Sequence, residues 1–220
     1  MRDVSLTAHE LKNRHRRVRD SHPEALRVRV HRSISWLERA ELAGEDADAR
    51  FVFLWIAFNA AYASEFGFEQ TERNQARAFV ERLVDLDTGR CLHGVLFDQF
   101  SGPVRTLIDN RFVFEPFWRA MRDHDPSERW KEQFDADRKL ALRAVMDGGT
   151  AQLLATVIER LYVLRNQLVH GGATWNSRAN RTQVKDACAI LGRLLPVMIG
   201  LMMDHPDAEF GDIAYPVVPA

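Results

Sequence analysis

Apolar residues recur every third or fourth position along most of this chain, and no segment shows the sustained alternation of a β-strand. A period near 3.6 residues puts these side chains on one face of an α-helix, where they can be buried together. With 220 residues, 46% of them hydrophobic, the chain is long enough to bury a sizeable core. We therefore predict a single all-α domain over residues 1–220, a helical bundle.

Local start and stop signals divide the bundle into its helices. Proline suits the first turn of a helix, and glycine commonly follows its last turn. The predicted helices cover residues 7–20, 23–43, 48–65, 70–87, 127–146, 150–170 and 177–204. The helix over 48–65 is apolar on nearly all sides, which places it at the centre of the core. Glycines and aromatic residues crowd residues 88–125, where we predict extra short helices in the middle of the chain.

The charge pattern gives no global sign of nucleic-acid binding. The formal net charge is -1, although residues 1–32 hold nine Lys and Arg against four Asp and Glu. This basic N-terminal segment suits either RNA backbone contacts or a solvated helix face. Cys91 and Cys188 are too few for a disulfide framework or a metal site. We predict no bound metal and no cofactor.

No apolar segment is long enough to predict a transmembrane helix. The longest apolar stretch, residues 51–63, has 13 residues and contains Asn59, whereas a bilayer needs about 20. The N-terminus leads into a charged segment without the apolar core of a signal peptide. We therefore expect a cytoplasmic protein that makes no membrane contact.

The candidate chemical site is an arginine–histidine pair at the end of a buried helix. Five Arg residues are followed by His after four to six intervening positions, so spacing alone is a weak signal. Only Arg165 and His170 end a strongly periodic helix, whose apolar stripe is formed by Leu154, Val157, Leu161, Leu164 and Leu168. Arg165 lies at the edge of that stripe, and Asn166 and His170 share a face one turn apart.

Two interpretations of these three side chains remain open. A guanidinium beside an apolar stripe needs an anionic partner, and the nearest acidic residue along the helix is Glu159, more than one turn away. A substrate phosphate would suit Arg165, and Asn166 and His170 would then complete a catalytic site. Alternatively, Arg165 pairs with a carboxylate from another helix and His170 caps the helix C-terminus.

Further residues are candidates for substrate binding, each with a structural alternative. Asn59 is either a satisfied core amide or points toward the Arg165 and His170 cleft. Trp175 stacks a nucleobase or packs in the core. Arg178 and Arg181 contact RNA phosphates or stay solvated.

The segment LRNQLVHGG at 164–172 resembles the signature of the HEPN superfamily, helical-bundle proteins that include many metal-independent RNases. The family motif is Arg, commonly followed by a polar residue, with His after four to six residues. The helix WIAFNAAY at 55–62 is similar to an earlier core helix of that family. The likeness covers residues 30–65 and 150–205, which would be the bundle core, with 66–149 as an elaboration.

The resemblance implies an endoribonuclease, a toxin or antiviral defence effector in which Arg165, Asn166 and His170 are catalytic. The RNA 2′-hydroxyl would attack the adjacent phosphate while histidine moves the proton and arginine stabilises the developing charge. The resemblance also implies a homodimer with the last two helices near its interface, and an antitoxin or defence-system partner. The alternatives are a non-catalytic HEPN-like module that binds nucleotide, RNA or protein, and a structural assembly subunit.

Overall fold

The computed structural model describes residues 6–63, 69–178 and 180–217, and every regular element within them is helical. The all-α prediction is therefore confirmed. The α-helices are α1 (Ala8–Val18), α2 (Glu24–Glu41), α3 (Ala47–Tyr62), α4 (Glu69–Leu86), α5 (Cys91–His93), α6 (Ser101–Ile108), α7 (Glu115–Arg122), α8 (Arg129–Asp147), α9 (Thr150–Val169) and α10 (Arg181–Asp204). Short 3₁₀-helices cover Arg19–Ser21 and Arg111–Val113, and a π-helix covers Gly94–Gln99.

Helix ends follow local chemistry. Thr7 and Glu10 form a reciprocal capping box at the start of α1, and Asp46 caps α3 by accepting from the amide of Ala49 at 3.0 Å. Gly148 and Gly171 adopt left-handed conformations, with φ of 70° and 69°, just after α8 and α9. The predicted last turn of the third helix, over residues 64 and 65, lies outside the described residues.

Helix α3 runs through the centre of the core, as its unbroken apolar character predicts. Phe51, Trp55 and Phe58 are each at most 2% exposed. The helix packs against α2 on one side and α10 on another. Within the described residues, α10 is also the one helix long and apolar enough to cross a membrane, and 67% of its most apolar window is buried inside the protein.

The methionines of α10 correct one expectation. A last helix rich in methionine, with Met198, Met202 and Met203, has more apolar surface than a peripheral helix needs, which would favour a dimer interface there. All three are at most 3% exposed, because α10 packs against α1, α2 and α3 and so lies inside the bundle. The helix needs its apolar surface for the core of its own chain, so this argument for a dimer is wrong.

The region between the two predicted core blocks contributes to the same core. Helix α4 packs against α9, and Phe79, Val80 and Leu83 belong to the main hydrophobic cluster. The predicted short helices are present between residues 91 and 122. A small second cluster under α7 and α8 is formed by Phe114, Phe117, Ala120 and Trp130. That this region elaborates a family bundle stays a prediction.

Candidate functional site

Arg165 is held firmly on the side of α9. Its Nη2 donates to Oε1 of Glu72 at 2.6 Å, and its Nη1 donates to Oδ1 of Asn166 at 2.9 Å. The guanidinium carbon also lies 4.8 Å from the ring centroid of Tyr162 and 5.5 Å from that of Trp55. The side chain is 15% exposed. These contacts fix both the position and the direction of the positive charge.

Glu72 on α4 is the centre of this network. Besides the Arg165 guanidinium, its carboxylate accepts from the hydroxyls of Tyr62 at 3.2 Å and Tyr162 at 2.9 Å. Burial, and then the negative charge of Glu72, raise the pKa of Tyr62 well above its ordinary value. Tyr62 is therefore a neutral donor to the carboxylate at any ordinary pH.

The partner of Arg165 is thus a carboxylate from another helix, which was one of the two interpretations left open by the sequence. The lack of an acidic residue nearby along α9 therefore gives no support to a phosphate partner for Arg165. Glu72 precedes Arg165 by 93 positions, and no local pattern links the two residues.

His170 ends α9 and is exposed to solvent. Its amide donates to the carbonyl of Asn166 at 3.0 Å, whereas its imidazole makes no hydrogen bond to any described residue. A separation of five positions turns Arg165 and His170 about 140° apart around the helix. The structure therefore brings Arg165 and Asn166 into contact, whereas the imidazole of His170 points away from Arg165 and forms no hydrogen bond to Asn166.

A cavity of about 590 Å³ opens beside Arg165. Its walls come from α2, α3, α4 and α9 and from residues 213–215. Asn59 and Arg165 both line it, together with Glu72 and Arg32, whereas His170 does not. Asn59 is therefore beside Arg165, but the two share a cavity that is separate from the imidazole.

Two aspartates anchor the loop that follows α9. Oδ2 of Asp48 accepts from the amide of Asn176 at 2.7 Å and from Nη2 of Arg181 at 2.8 Å. Oδ2 of Asp46 accepts from Nε1 of Trp175 at 3.2 Å. The Ala49 amide, and then the Trp175 indole, lower the pKa of Asp46. The loop is therefore attached to the N-terminus of α3.

The position of this loop determines which candidate binding residues are exposed to a ligand. The indole of Trp175 is 74% exposed, so its assignment to the core is wrong. Arg178 is exposed and forms no ion pair within the described ranges, which leaves it available to a ligand. Arg181 is occupied by Asp48.

Gln167 in the middle of the motif was not predicted to matter. Its Nε2 donates to the carbonyl of Phe112 at 2.6 Å, and its Oε1 accepts from Nδ2 of Asn180 at 2.8 Å. Gln167 therefore ties α9 to the segment before α7 and to the residue preceding α10. Phe112 is distant in sequence and Asn180 lies outside the regular helices, so no periodic sequence pattern predicts either contact.

In the part of the chain that the structure describes, no three His, Cys, Asp or Glu side chains are grouped so as to hold a metal ion. Neither the models of protein families, nor the curated proteins, nor the solved structures contain a match to this chain. Membership of the HEPN superfamily therefore stays a prediction that depends on residues 164–172 and 55–62 alone.

Proposed function

We propose that the chain is a metal-independent endoribonuclease whose proton transfer is carried out by His170. The observation that supports this is an exposed imidazole with no hydrogen bond to any described residue, at the end of a helix anchored in the core. An imidazole titrates near neutral pH and can donate or accept a proton in RNA cleavage. The alternative, in which His170 only caps α9, predicts that its substitution leaves RNA cleavage unchanged.

Asn166 and Arg165 have supporting roles in this proposal. Asn166 lies one helical turn before His170 on the same face and can orient a phosphate oxygen or the imidazole. Arg165 holds the Asn166 side chain through the 2.9 Å Nη1–Oδ1 hydrogen bond. In a single copy of the chain, Arg165 is thus a positioning residue for Asn166, and its charge is shared with Glu72.

The loop after α9 supplies candidate contacts to RNA. Trp175 presents most of its indole to solvent while one hydrogen bond to Asp46 keeps it in place. Stacking of a base on such a ring is sequence-tolerant. Arg178 offers a free guanidinium to a phosphate. The substrate in this proposal is therefore a single-stranded or looped RNA whose bases are accessible.

A second copy of the chain would complete the site. Val169 is 55% exposed, so an apolar side chain next to His170 is available to a second copy. By the family resemblance, two motif copies line one cleft, and the second copy would place another Arg165–His170 pair opposite the first. The proposal is a homodimer that pairs through this end of α9, acting as a toxin or antiviral effector with an antitoxin or defence-system partner.

The test compares two histidines under the same substitution. His124 is exposed, follows Arg119 at the same spacing, and adopts a φ of 49° that asparagine tolerates. The purified protein is incubated with mixed RNAs, with and without chelator. We expect His170→Asn to abolish cleavage and His124→Asn to preserve it, with 2′,3′-cyclic phosphate ends and no effect of chelator. Chelator-sensitive cleavage or 5′-phosphate ends would exclude this mechanism.

The second candidate is a non-catalytic module that binds nucleotide, RNA or protein. The Arg165–Glu72 ion pair favours it, because a guanidinium already neutralised by a carboxylate is less available to a transition-state phosphate. The same assay separates the two functions. If the protein binds RNA without cleaving it, and His170→Asn alters neither the binding nor the absence of cleavage, the chain is a binding module and not a nuclease.

A further inference from the structure

The cavity beside Arg165 is large enough for a small organic molecule. Its volume of about 590 Å³ lies within the range of ligand pockets in proteins, about 300–1,000 Å³. Four helices and residues 213–215 enclose it, so its shape is set by packed elements. What it can bind follows from the charge, the hydrogen-bonding groups and the apolar surface of its wall.

The wall carries an excess of positive charge. Glu72 is balanced by Arg165 at 2.6 Å. Arg29 is 1% exposed and donates to the backbone carbonyl oxygens of Ala61, Ala63, Gly211 and Asp212, and the negative charge of the Asp212 side chain also stabilises it. Arg32 has neither an ion pair nor a hydrogen bond within the described residues. The cavity therefore offers one uncompensated guanidinium to an anionic ligand.

One hydrogen-bond acceptor in the wall lacks a donor. Oδ1 of Asn59 is buried and has no hydrogen-bond partner in the part of the chain that the structure describes. Leaving a buried acceptor unpaired costs free energy, and native proteins satisfy the great majority of such groups. Asn59 lines the cavity, and a half-turn of its amide about the Cβ–Cγ bond would present this oxygen to a ligand N–H or O–H group.

The remainder of the wall is mainly apolar, with aromatic rings at its edge. Ile56, Ala60 and Ile213 line the cavity, and the rings of Trp36 and Tyr215 are 37% and 61% exposed. One face of Trp36 stacks on Phe53, with 5.8 Å between the ring centroids. Exposed rings beside an apolar wall suit a ligand with a flat, apolar body.

We propose that this cavity binds a small organic anion with a flat apolar body, with the anionic group on Arg32 and an N–H or O–H donor on Asn59. The proposal does not depend on RNA cleavage, because His170 does not line the cavity. Either proposal can fail while the other holds.

Two fluorescent probes match this description and differ by one group. 8-Anilinonaphthalene-1-sulfonate has fused rings, an N–H donor and a sulfonate, and N-phenyl-1-naphthylamine is the same molecule without the sulfonate. Fluorescence titration of the full chain should show one site for the sulfonate probe, with at least about tenfold weaker binding of the neutral probe, the loss expected for one charge-assisted hydrogen bond. Equal affinities, or many weak sites for the sulfonate, would overturn the proposal.

Four variants locate the binding. Arg32→Gln should weaken the binding of the sulfonate probe about tenfold and leave the affinity of the neutral probe unchanged. Asn59→Leu should weaken the binding of both probes, since both carry the N–H group. Ala60→Trp should abolish the binding of both probes because the larger side chain fills the cavity. Arg27→Gln, on the same helix but not lining this cavity, should change neither.

Near-ultraviolet circular dichroism of each variant checks that the core is intact. Arg32 is partly exposed and unpaired, so its replacement leaves the fold in place and keeps the test decisive even if Ala60→Trp disturbs packing. Unchanged sulfonate binding in folded Arg32→Gln, or retained binding in folded Ala60→Trp, would place the probe elsewhere and refute the site.

Discussion

The Arg165 guanidinium on α9 and the Glu72 carboxylate on α4 are joined by a 2.6 Å hydrogen bond, with side-chain exposures of 15% and 29%. The contact connects the motif helix to the region between the two predicted core blocks. It also changes the role of Arg165. This residue was a candidate to bind a phosphate, whereas in the structure it links two helices of the bundle.

We expect Arg165→Ala to destabilise the protein by about 2 kcal/mol. Exposed ion pairs contribute roughly 0–1 kcal/mol, and breaking a buried pair costs about 3–5 kcal/mol; this pair is intermediate in burial. Without Arg165, Glu72 keeps only its two tyrosine donors. Urea denaturation measures the change. In a double-mutant cycle, Glu72→Gln should remove most of the effect; an additive cycle would show that the pair is not coupled.

His170→Asn should separate activity from stability. The imidazole is exposed and unbonded, so the free energy of unfolding should change by less than about 0.5 kcal/mol. If His170 transfers the proton, RNA cleavage should fall by at least about 100-fold. Thermal unfolding and a cleavage assay on the same preparation test both parts. A large drop in unfolding temperature would mean that His170 is structural.

Stability should fall as the pH is lowered from about 6.5 toward 4, because of His15. This ring is 5% exposed and its Nε2 has no partner. Burial, and then the nearby positive charges of His31, Arg19, His22 and Arg27, together lower the pKa of His15 from its ordinary 6.5 to about 4. Between about pH 6.5 and 4, the unfolded chain therefore binds a proton at His15 that the folded chain does not bind. The free energy of unfolding consequently rises with pH.

The size of this effect is up to about 3 kcal/mol, from 1.36 kcal/mol per pKa unit. Burial also lowers the pKa of His22, which adds in the same direction. Unfolding free energies measured from pH 4 to 7 should show the slope, and His15→Leu should flatten it. An unchanged slope in that variant would assign the effect to other groups.

Asn59→Leu should stabilise the ligand-free protein by about 1 kcal/mol. It replaces a partly exposed amide, whose buried Oδ1 has no donor among the described residues, by an apolar side chain of similar size. The same substitution should weaken probe binding in the cavity, so stability and binding should move in opposite directions. Denaturation in the absence of probe gives the first quantity. A destabilised variant would indicate that the amide is satisfied in solution.

Asp48→Ala should release the loop that carries Trp175. Asp48 accepts from the Asn176 amide at 2.7 Å and from Arg181 at 2.8 Å. Hydrogen exchange at the Asn176 amide should accelerate strongly, while amides in the middle of α9 keep their protection. Glu45→Ala, an exposed neighbour, serves as the control. Equal protection of Asn176 in both variants would show that Asp48 does not anchor the loop.

Helix positions could be predicted from the sequence because their signals are local. Pro23, Gly148 and Gly171 mark helix ends within one or two residues of where they occur. The π-helix at Gly94–Gln99 could not be predicted, because no periodic pattern distinguishes it from an α-helical turn. The sequence left open whether Trp175 is buried, because its surface position and its hydrogen bond to Asp46 depend on a contact between distant segments.

From the sequence, the candidate site could be located at the end of a helix, but the residues that contact it from other helices could not be identified. Spacing placed Arg165, Asn166 and His170 correctly along α9. It could not supply Glu72, 93 positions earlier, or Asp46 and Asp48, which fix the following loop. Those partners are set by how distant helices pack, and such information is not present in a local pattern.

Arg29 makes the segment after α10 part of the folded unit. Its buried guanidinium donates to the carbonyls of Ala61 and Ala63 at the end of α3 and of Gly211 and Asp212 in the tail. A protein shortened to residue 205 would bury a cation with half of its acceptors missing, and would open one wall of the cavity. The tail is therefore a structural part of the bundle, and its removal should lower both the stability of the protein and the capacity of the cavity to hold a ligand.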